Sequence, residues 1–310
     1  MIYLDSAATS LQKPPEVARA VVRAMQSCAS PGRGDHAAAM HAAETVFACR
    51  EEAAALFHMT QPENVVFTMN ATHALNIAVH SLVREGMRVA VSGFEHNAVM
   101  RPLYASGASI LTSDTPLFDS AALIDWFERH LPECDAAICT CVSNAFGFIL
   151  PVREIAALCR RFGVPLIVDA SQSAGILDLD FPGLGAAFAA MPGHKGLLGP
   201  HGTGALWVAD GVTLAPLRQG GTGSASESMF QPRIMPDSLE SGTLNLPGIA
   251  GLYAGMRFAL AHQQEARETT AALCGMMRDA LREMAGVRVY TRADASLLSF
   301  NVGCRKSCFG

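Results

Sequence analysis

Short apolar runs alternate with amphipathic stretches along most of the chain. Each run is bounded by glycine, proline or polar residues, which is typical of a buried β-strand. Strands that alternate with helices favour a mainly parallel sheet with crossover helices on its faces. Strands are predicted at Asn64–Thr68, Arg88–Ser92, Ser109–Thr112, Ala136–Val142, Leu166–Asp169, Ala186–Ala190 and Gly204–Val208.

Helical periodicity fills several gaps between these strands. It predicts helices at Thr72–Arg84, Ala121–His130 and Val152–Phe162. The last of these opens after Pro151 and closes at Gly163, which is the usual placement of proline and glycine at helix ends.

The pattern changes at Pro247, where long helices rich in Ala, Leu and Met run to about Ala285. Short strands are predicted after them, at Val287–Tyr290 and Leu297–Val302. We therefore expect an α/β protein with an N-terminal segment at residues 1–15, a large domain at 16–246 and a smaller α+β domain at 247–310.

Composition is that of a soluble globular enzyme, with 310 residues of which half are hydrophobic and 16% are charged. The net charge of −5 provides no basic field, so nucleic acid is not an expected partner. Asp5 interrupts the start of the chain before any apolar signal segment forms. The uncharged stretch Ala136–Val152 contains Gly147 and Pro151, which indicates strand, loop and helix start rather than a membrane span. We expect a cytoplasmic protein.

The chain has nine cysteines, an odd number that argues against a disulfide framework in a chain without a secretion signal. Cys139 and Cys141 alternate along a predicted strand and share one of its faces. No second pair with zinc-ligand spacing follows them, so core packing is the better interpretation and no metal site is expected.

Lys195 is one of only three lysines, against 20 arginines, and it lies in a glycine-rich stretch. Lys13 and Lys306 are near the ends of the sequence. A lysine amine forms an imine with an aldehyde and a guanidinium does not, so reactive chemistry is retained at one internal position. Asp169 ends a buried run 26 positions earlier. A carboxyl there either needs a cationic or protonated partner or caps the next turn.

Other polar residues also follow predicted strands, where ligands bind in parallel sheets. Thr72 opens a helix and either binds a phosphate with the free helix amides or acts as an N-cap. His96 lies against an aromatic ring, transfers protons near neutral pH or is only structural. Asn144 offers a donor and an acceptor or marks only a turn. A phosphate site, a stacking histidine, an acid and a lysine at successive strand ends together indicate pyridoxal phosphate.

The sequence resembles the class V aminotransferase family of fold-type I, and within it the cysteine desulfurases and selenocysteine lyases. The resemblance covers nearly the whole chain. The motifs that carry the resemblance are Tyr3–Thr9, Ser30–His36, Asn70–Asn76, Glu95–Ala98, Ser143–Asn144, Val168–Gly175, Gly193–Gly196 and Glu240–Asn245.

The resemblance implies a role for each matching residue. Lys195 would bind the cofactor aldehyde and later move the Cα proton, Asp169 would hold the ring nitrogen protonated, and Gln172 would bond the ring's phenolic oxygen. His96 would stack on the ring and Asn144 would contact the substrate carboxylate or ring oxygen. The phosphate would lie against Thr72, the amide of His73, His194 and, from a neighbouring subunit of a homodimer, Thr243, while the backbone at Ala7 and Ala8 would line the substrate site.

The chain departs from the family pattern in two places. Pro192 stands where many members have a serine or threonine that binds the phosphate, so one contact is lost. The family also continues past a strand like Leu297–Val302 into a segment with a sulfur-accepting cysteine and a substrate-binding arginine. Cys304 and Cys308 follow that strand too closely to match, so we expect a C-terminally truncated small domain.

The resemblance implies removal of sulfur from L-cysteine, or of selenium from selenocysteine, to give L-alanine, with a protein as possible sulfur acceptor. Transamination or another lyase reaction on a different amino acid is an alternative, as is a cofactor-binding protein without turnover. A dinucleotide-binding protein fits less well, because no Gly-x-Gly-x-x-Gly opens the first βα unit.

Overall fold

The structure, a computed structural model, describes residues 2–31, 34–224, 227–292 and 297–303. Helices and strands alternate along most of that length. The helices are α1 (Pro15–Ser27), α2 (Ala37–Leu56), α3 (Ala71–Leu82), α4 (Asn97–Ala105), α5 (Ser120–His130), α6 (Val152–Phe162), α7 (Phe181–Leu184) and α8 (Leu246–Arg282). The strands are β1 (Val65–Thr68), β2 (Arg88–Val91), β3 (Ser109–Thr112), β4 (Ala136–Thr140), β5 (Leu166–Asp169), β6 (Phe188–Pro192), β7 (Gly204–Val208), β8 (Val287–Val289) and β9 (Phe300–Val302).

Every predicted strand is present, with ends shifted by no more than two residues except in the last, which begins three residues later than predicted, at Phe300. The predicted helix Val152–Phe162 is confirmed, and Gly163 ends it in the left-handed conformation. The helices α1, α2, α4 and α7 were not predicted. In α2, alanines occupy the whole circumference, so no amphipathic stripe marks it in the sequence.

The first seven strands form one sheet in the order β1-β7-β6-β5-β4-β2-β3. All neighbours in it are parallel except β7, which runs antiparallel to both β1 and β6. The connection from Pro192 to Gly204 contains no helix, and an antiparallel neighbour needs no helical crossover. The mainly parallel seven-stranded sheet is therefore confirmed.

Two hydrophobic cores lie on opposite faces of the sheet. One core joins the sheet to α2, α5, α6 and α8, and it contains the buried Cys139 and Cys141. The other joins the sheet to α3 and α4. The central strands β4 and β5 are buried along their whole length, as a strand with both faces covered must be. The described cysteines are free thiols.

The region after Pro247 forms a single long helix, α8, rather than several. The Asn245 side chain caps it by accepting a hydrogen bond of 3.1 Å from the amide of Gly248. The buried residues of α8 lie between Leu246 and Ala259, where the helix packs on α1 and α2. Strands β8 and β9 then pair antiparallel in a sheet of their own.

The uncharged stretch Ala136–Val152 consists of β4, a loop closed by a bridge between Val142 and Ile149, and the start of α6. This confirms the predicted order of strand, loop and helix start. Over the described part of the chain, no helix combines the length and apolarity that crossing a bilayer requires.

Candidate active site

A cavity of about 170 Å³ opens beyond the carboxyl ends of β2, β4, β5 and β6. This is the edge at which ligands bind in sheets of this type. The residues predicted from successive strand ends meet there, although they are far apart in sequence. Thr72, His96, Asn144, Asp169, Gln172, His194 and Lys195 all line the cavity.

Asp169 is the last residue of β5 and is almost completely buried. Burial raises the pKa of its carboxyl, while a hydrogen bond of 2.9 Å from the amide of Ser171 and the nearby Lys195 and His96 lower it. The turn-capping alternative is therefore confirmed. One oxygen caps the turn, and the side chain still faces the cavity.

Lys195 lies three residues after β6, the strand paired with β5, and is half-buried. Burial lowers the pKa of its amine, and the charge of Asp169 opposes that shift. The glycines around it allow close backbone contacts. A Cβ on Gly193 would lie 2.1 Å from Thr203 Oγ1, and a Cβ on Gly196 would lie 2.3 Å from the carbonyl oxygen of Ala174.

The start of α3 forms the side of the cavity predicted to bind phosphate. Its N-cap is Asn70, whose side chain accepts a hydrogen bond of 2.8 Å from the amide of His73. The interpretation of Thr72 as an N-cap is therefore wrong, because the cap lies two residues earlier. Thr72 lies in the first turn, where no helical carbonyl precedes its amide. His73 is not among the residues that line the cavity.

The two histidines of the cavity are held by different contacts. His96 is the N-cap of α4, and its Nδ1 accepts a hydrogen bond of 3.0 Å from the amide of Ala98. His194 Nδ1 lies 3.0 Å from Thr9 Oγ1, and its ring stacks on His201. Burial, with the nearby cations, lowers the pKa of His194 to about 4. His194 is therefore neutral at pH 7.

An N-terminal segment, Ala7 to Lys13, is fixed beside the cavity. Gln172 Nε2 donates a hydrogen bond of 3.0 Å to the carbonyl of Ala7. The carbonyl of His194 accepts hydrogen bonds from Ser10 Oγ at 2.9 Å and from Lys13 Nζ at 3.3 Å. Only Ala7 and Ala8 of this segment were predicted from the sequence. The anchoring side chains were not, since their partners are about 180 residues away.

Thr243 is not part of this cavity. It lines a second cavity of about 230 Å³, together with Gly221 and Gly223. A buried ion pair between Arg50 and Glu240, with Nη2 and Oε2 2.6 Å apart, borders the second cavity. Cys304 and Cys308, which were not expected to match the family's catalytic cysteine, lie outside the described residues, as do residues 32 and 33 of the Ser30–His36 motif.

Glu95 lies next to the cavity and was given no role of its own in the sequence analysis, although it begins the motif Glu95–Ala98. Its Oε1 accepts hydrogen bonds from Ser92 Oγ at 2.5 Å and from the amide of Thr140, a cavity residue, at 2.9 Å. Its Oε2 is buried without a hydrogen-bond partner in the described part of the chain. The signals in the sequence were its place in that motif and its position directly before His96.

These groups fit pyridoxal phosphate. The fit rests on a partly buried amine and a buried carboxylate at the ends of paired strands, and on a helix start with free amides. Such a set offers a partner for an aldehyde, a pyridine nitrogen and a phosphate. In the described ranges, no group of three or more His, Cys, Asp or Glu side chains is arranged to hold a metal ion.

Comparison with known proteins gives the same family. The family model described as Aminotransferase class-V matches residues 2–307. A probable cysteine desulfurase from Methanothermobacter thermautotrophicus is 34% identical over 83% of this chain and 66% of its own length. Another from Halalkalibacterium halodurans is 31% identical over 97% of this chain and 78% of its own length.

Solved structures agree with these sequence relatives. The apo structure of a cysteine desulfurase from Thermococcus onnurineus NA1 has a TM-score of 0.87 at 26% identity, covering 98% of this chain and 79% of its own. A cysteine desulfurase from Escherichia coli has a TM-score of 0.84 at 27% identity, covering 96% and 78%. This chain thus spans between two thirds and four fifths of the length of these relatives. It belongs to the class V aminotransferase family, among the cysteine desulfurases, which are fold-type I enzymes that use pyridoxal 5'-phosphate.

Proposed function

We propose that this chain removes the sulfur of L-cysteine, or the selenium of selenocysteine, and releases L-alanine. The observation that carries the proposal is the arrangement of Lys195 and Asp169. Asp169 ends β5, Lys195 follows the neighbouring strand β6, and both side chains line one cavity. Pyridoxal phosphate bound there supplies an electron sink for the charge that develops at the substrate Cα. Cysteine as the substrate is supported by the cysteine desulfurases among the relatives.

Lys195 Nζ is assigned to bind the cofactor aldehyde and then to move the proton at the substrate Cα. Burial lowers the pKa of this amine, which increases the neutral fraction. Only the neutral amine acts as a nucleophile or a base. Asp169 is assigned to pair with the ring nitrogen, because its negative charge favours a protonated partner.

His96 is assigned to stack on the cofactor ring. The phosphate is assigned to Thr72 and the ring of His194, at the start of α3. The amide of His73, which the resemblance also assigned to the phosphate, instead donates to the side chain of Asn70. His194 would hold the phosphate as a neutral hydrogen-bonding group, since its pKa is about 4. Pro192 provides no hydroxyl, so one phosphate contact of many relatives is absent.

Asn144 is assigned to the substrate carboxylate or ring oxygen, and the backbone of Ala7 and Ala8 to the substrate side of the cavity. The hydrogen bond from Gln172 to the Ala7 carbonyl supports this, because it fixes the segment next to the cavity. Gln172 is also assigned to the phenolic oxygen of the ring.

Sulfur transfer needs a thiolate that attacks the substrate sulfur, so that the C–S bond breaks and an S–S bond forms. None of the described cysteines lines the cavity of Lys195. Burial also raises the pKa of Cys141 and Cys159 to about 12, which suppresses their thiolates. We propose that an added thiol serves as the acceptor for this chain in vitro.

The test is product analysis with pyridoxal phosphate, L-cysteine and dithiothreitol. We expect alanine and sulfide in equal amounts, and a loss of about 1,000-fold or more in Lys195→Ala. Pyruvate, ammonia and sulfide would instead indicate a lyase, and a keto acid from another amino donor would indicate transamination. A cofactor band without any product would indicate binding without turnover.

The remaining proposals concern the larger assembly. We propose a homodimer in which Thr243 of each subunit reaches the phosphate bound in the other, with a protein as sulfur acceptor in the cytoplasm. We also propose the division into a segment at residues 1–15, a large domain at 16–246 and a small domain at 247–310.

A further inference from the structure

Glu95 lies in the loop between β2 and α4, directly before His96. The residue is partly exposed as a whole, but its carboxyl points inward and its Oε2 is buried. Its Oε1 accepts two hydrogen bonds, from Ser92 Oγ and from the amide of Thr140. One carboxyl therefore connects the end of β2 to the end of β4.

This connection continues the sheet where its own pairing stops. The last pair between β2 and β4 is Val91 with Ile138. The amide of Cys141 donates to the carbonyl of Asp169 on the β5 side, so the amide of Thr140 faces the β2 side. The amide of Thr140 donates to Glu95 Oε1, which lies where the carbonyl of a longer β2 would accept this bond.

We propose that Glu95 is a positioning residue of the cofactor site, which holds the loop of His96 against Thr140 and so fixes the His96 ring at the cavity. The proposal rests on the proposed function, because it concerns the group assigned to stack on the cofactor. Two contacts then position His96. Glu95 sets where the His96 backbone lies, and the amide of Ala98 sets how its ring is turned.

The charge state of Glu95 is consistent with this role. Burial, with the nearby Asp169, raises the pKa of its carboxyl to about 7. A neutral acid is less costly to bury than a carboxylate. Its proton belongs on Oε2, because Oε1 already accepts two donors. A glutamine at this position would keep the accepting oxygen and the shape.

The experiment measures the Kd for pyridoxal phosphate and the visible circular dichroism of the bound cofactor. Circular dichroism reports how the ring is held, which a loss of stability alone would not change. In Glu95→Ala we expect the Kd to rise about tenfold, the size of one lost hydrogen bond to a charged or buried group. We expect Glu95→Gln to restore both the Kd and the circular dichroism to wild-type values.

A double-mutant cycle tests whether Glu95 acts through His96. In the His96→Ala background, adding Glu95→Ala should change the Kd by less than about twofold. If Glu95→Ala does not fold, Ser92→Ala replaces it in the same cycle, because this substitution removes one of the two hydrogen bonds to Glu95. We expect Ser92→Ala to raise the Kd about threefold in the wild-type background and to have no further effect in the His96→Ala background.

Two results would overturn the proposal. One is a wild-type Kd and circular dichroism in Glu95→Ala, or in Ser92→Ala if that variant replaces it. The other is an undiminished effect of the substitution in the His96→Ala background. Because both readouts measure cofactor binding, they stand apart from the product assay. A wild-type protein that binds cofactor without turning over cysteine would contradict the proposed function and leave this cycle informative.

Discussion

Burial acts in opposite directions on the two charged groups of the site. It raises the pKa of Asp169 and lowers that of Lys195, because each loses water that solvates its charged form. Their mutual attraction opposes both shifts. The lowered pKa of Lys195 favours the neutral amine that acts as a base, and the attraction to Lys195 favours the negative charge with which Asp169 keeps a partner protonated.

The raised pKa of Glu95 predicts how the free energy of unfolding depends on pH. Its pKa is about 4.5 in an unfolded chain and about 7 in the folded protein. Between these values the unfolded state ionises and the folded state does not, so stability falls as pH rises from 4.5 to 7. The total fall from this group is on the order of 3 kcal/mol.

The measurement compares urea unfolding of the cofactor-free wild type and Glu95→Gln at pH 5 and pH 7.5. Glutamine does not titrate, so its advantage over the wild type should grow across this range. The pKa of His194 is lowered in the folded protein, so its contribution to stability has the opposite pH dependence and is lost as the pH falls from 6.5 to 4. This contribution is the same in both proteins and cancels in the comparison. Parallel stability curves would contradict the prediction.

A functional residue could be predicted from the sequence only where both its position in the strand and loop pattern and its residue type pointed to a site. Lys195 was found because a rare residue lay in a glycine-rich loop, and Asp169 because a charge ended an apolar run. Glu95 gave no such signal, since its burial depends on a contact with Thr140, 45 positions away. Asn70 was missed as a cap because Thr72, two residues later, fits the same propensity.

At the level of elements, the loop of Lys195 is held by a close contact with the turn after β5. Gly175 has a φ of +81°, and a Cβ there would lie 2.4 Å from the carbonyl oxygen of Gly196. Both the backbone conformation and the lack of space exclude other residues. The contact fixes the distance between the turn of Asp169 and the residue that follows Lys195.

Gly175→Ala is predicted to destabilise the protein by about 3 kcal/mol or more and to abolish cofactor binding, because strain and a backbone clash add. Gly163→Ala is the matched control. Its φ is +69° but nothing lies within 4 Å of the added Cβ. Gly163→Ala should lower the free energy of unfolding by about 1 kcal/mol and should bind cofactor normally. Urea unfolding and cofactor titration measure both, and equal effects of the two substitutions would contradict the account.

The elements themselves were largely predictable, because buried strands and amphipathic helices have different periodicities. The direction of β7 was not, since an apolar run reads the same in either orientation. The continuity of α8 was also missed, because its exposed second half lacks the buried face of the first.

At the scale of the whole molecule, large apolar side chains are exposed near the loop that leads to Thr243. Met229 is 96% exposed, Phe230 84% and Ile234 63%. Clustered apolar exposure of this kind is typical of an interaction surface. It supports the proposed homodimer, in which the cavity of Thr243 would face a neighbouring site.

Mixed dimers test that arrangement. Lys195→Ala and Thr243→Ala chains, each with its own affinity tag, are co-expressed and the heterodimer is isolated. If Thr243 acts across the interface, the Thr243→Ala subunit keeps its own Lys195 and receives an intact Thr243 from its partner. The heterodimer should then bind one cofactor with wild-type Kd.

If Thr243 acts within its own subunit, no site of the heterodimer is intact and the Kd should equal that of Thr243→Ala. A protein that remains monomeric at the concentrations used for activity would contradict the assembly itself.

The central claim is that Lys195 holds the cofactor beside Asp169, and one measurement tests it most directly. The protein is mixed with pyridoxal phosphate, its visible spectrum is recorded, and borohydride is added before peptide mapping. We predict a visible band that disappears on reduction and a single label on Lys195, absent from Lys195→Ala. A label on Lys13 or Lys306, or no band at all, would contradict the account.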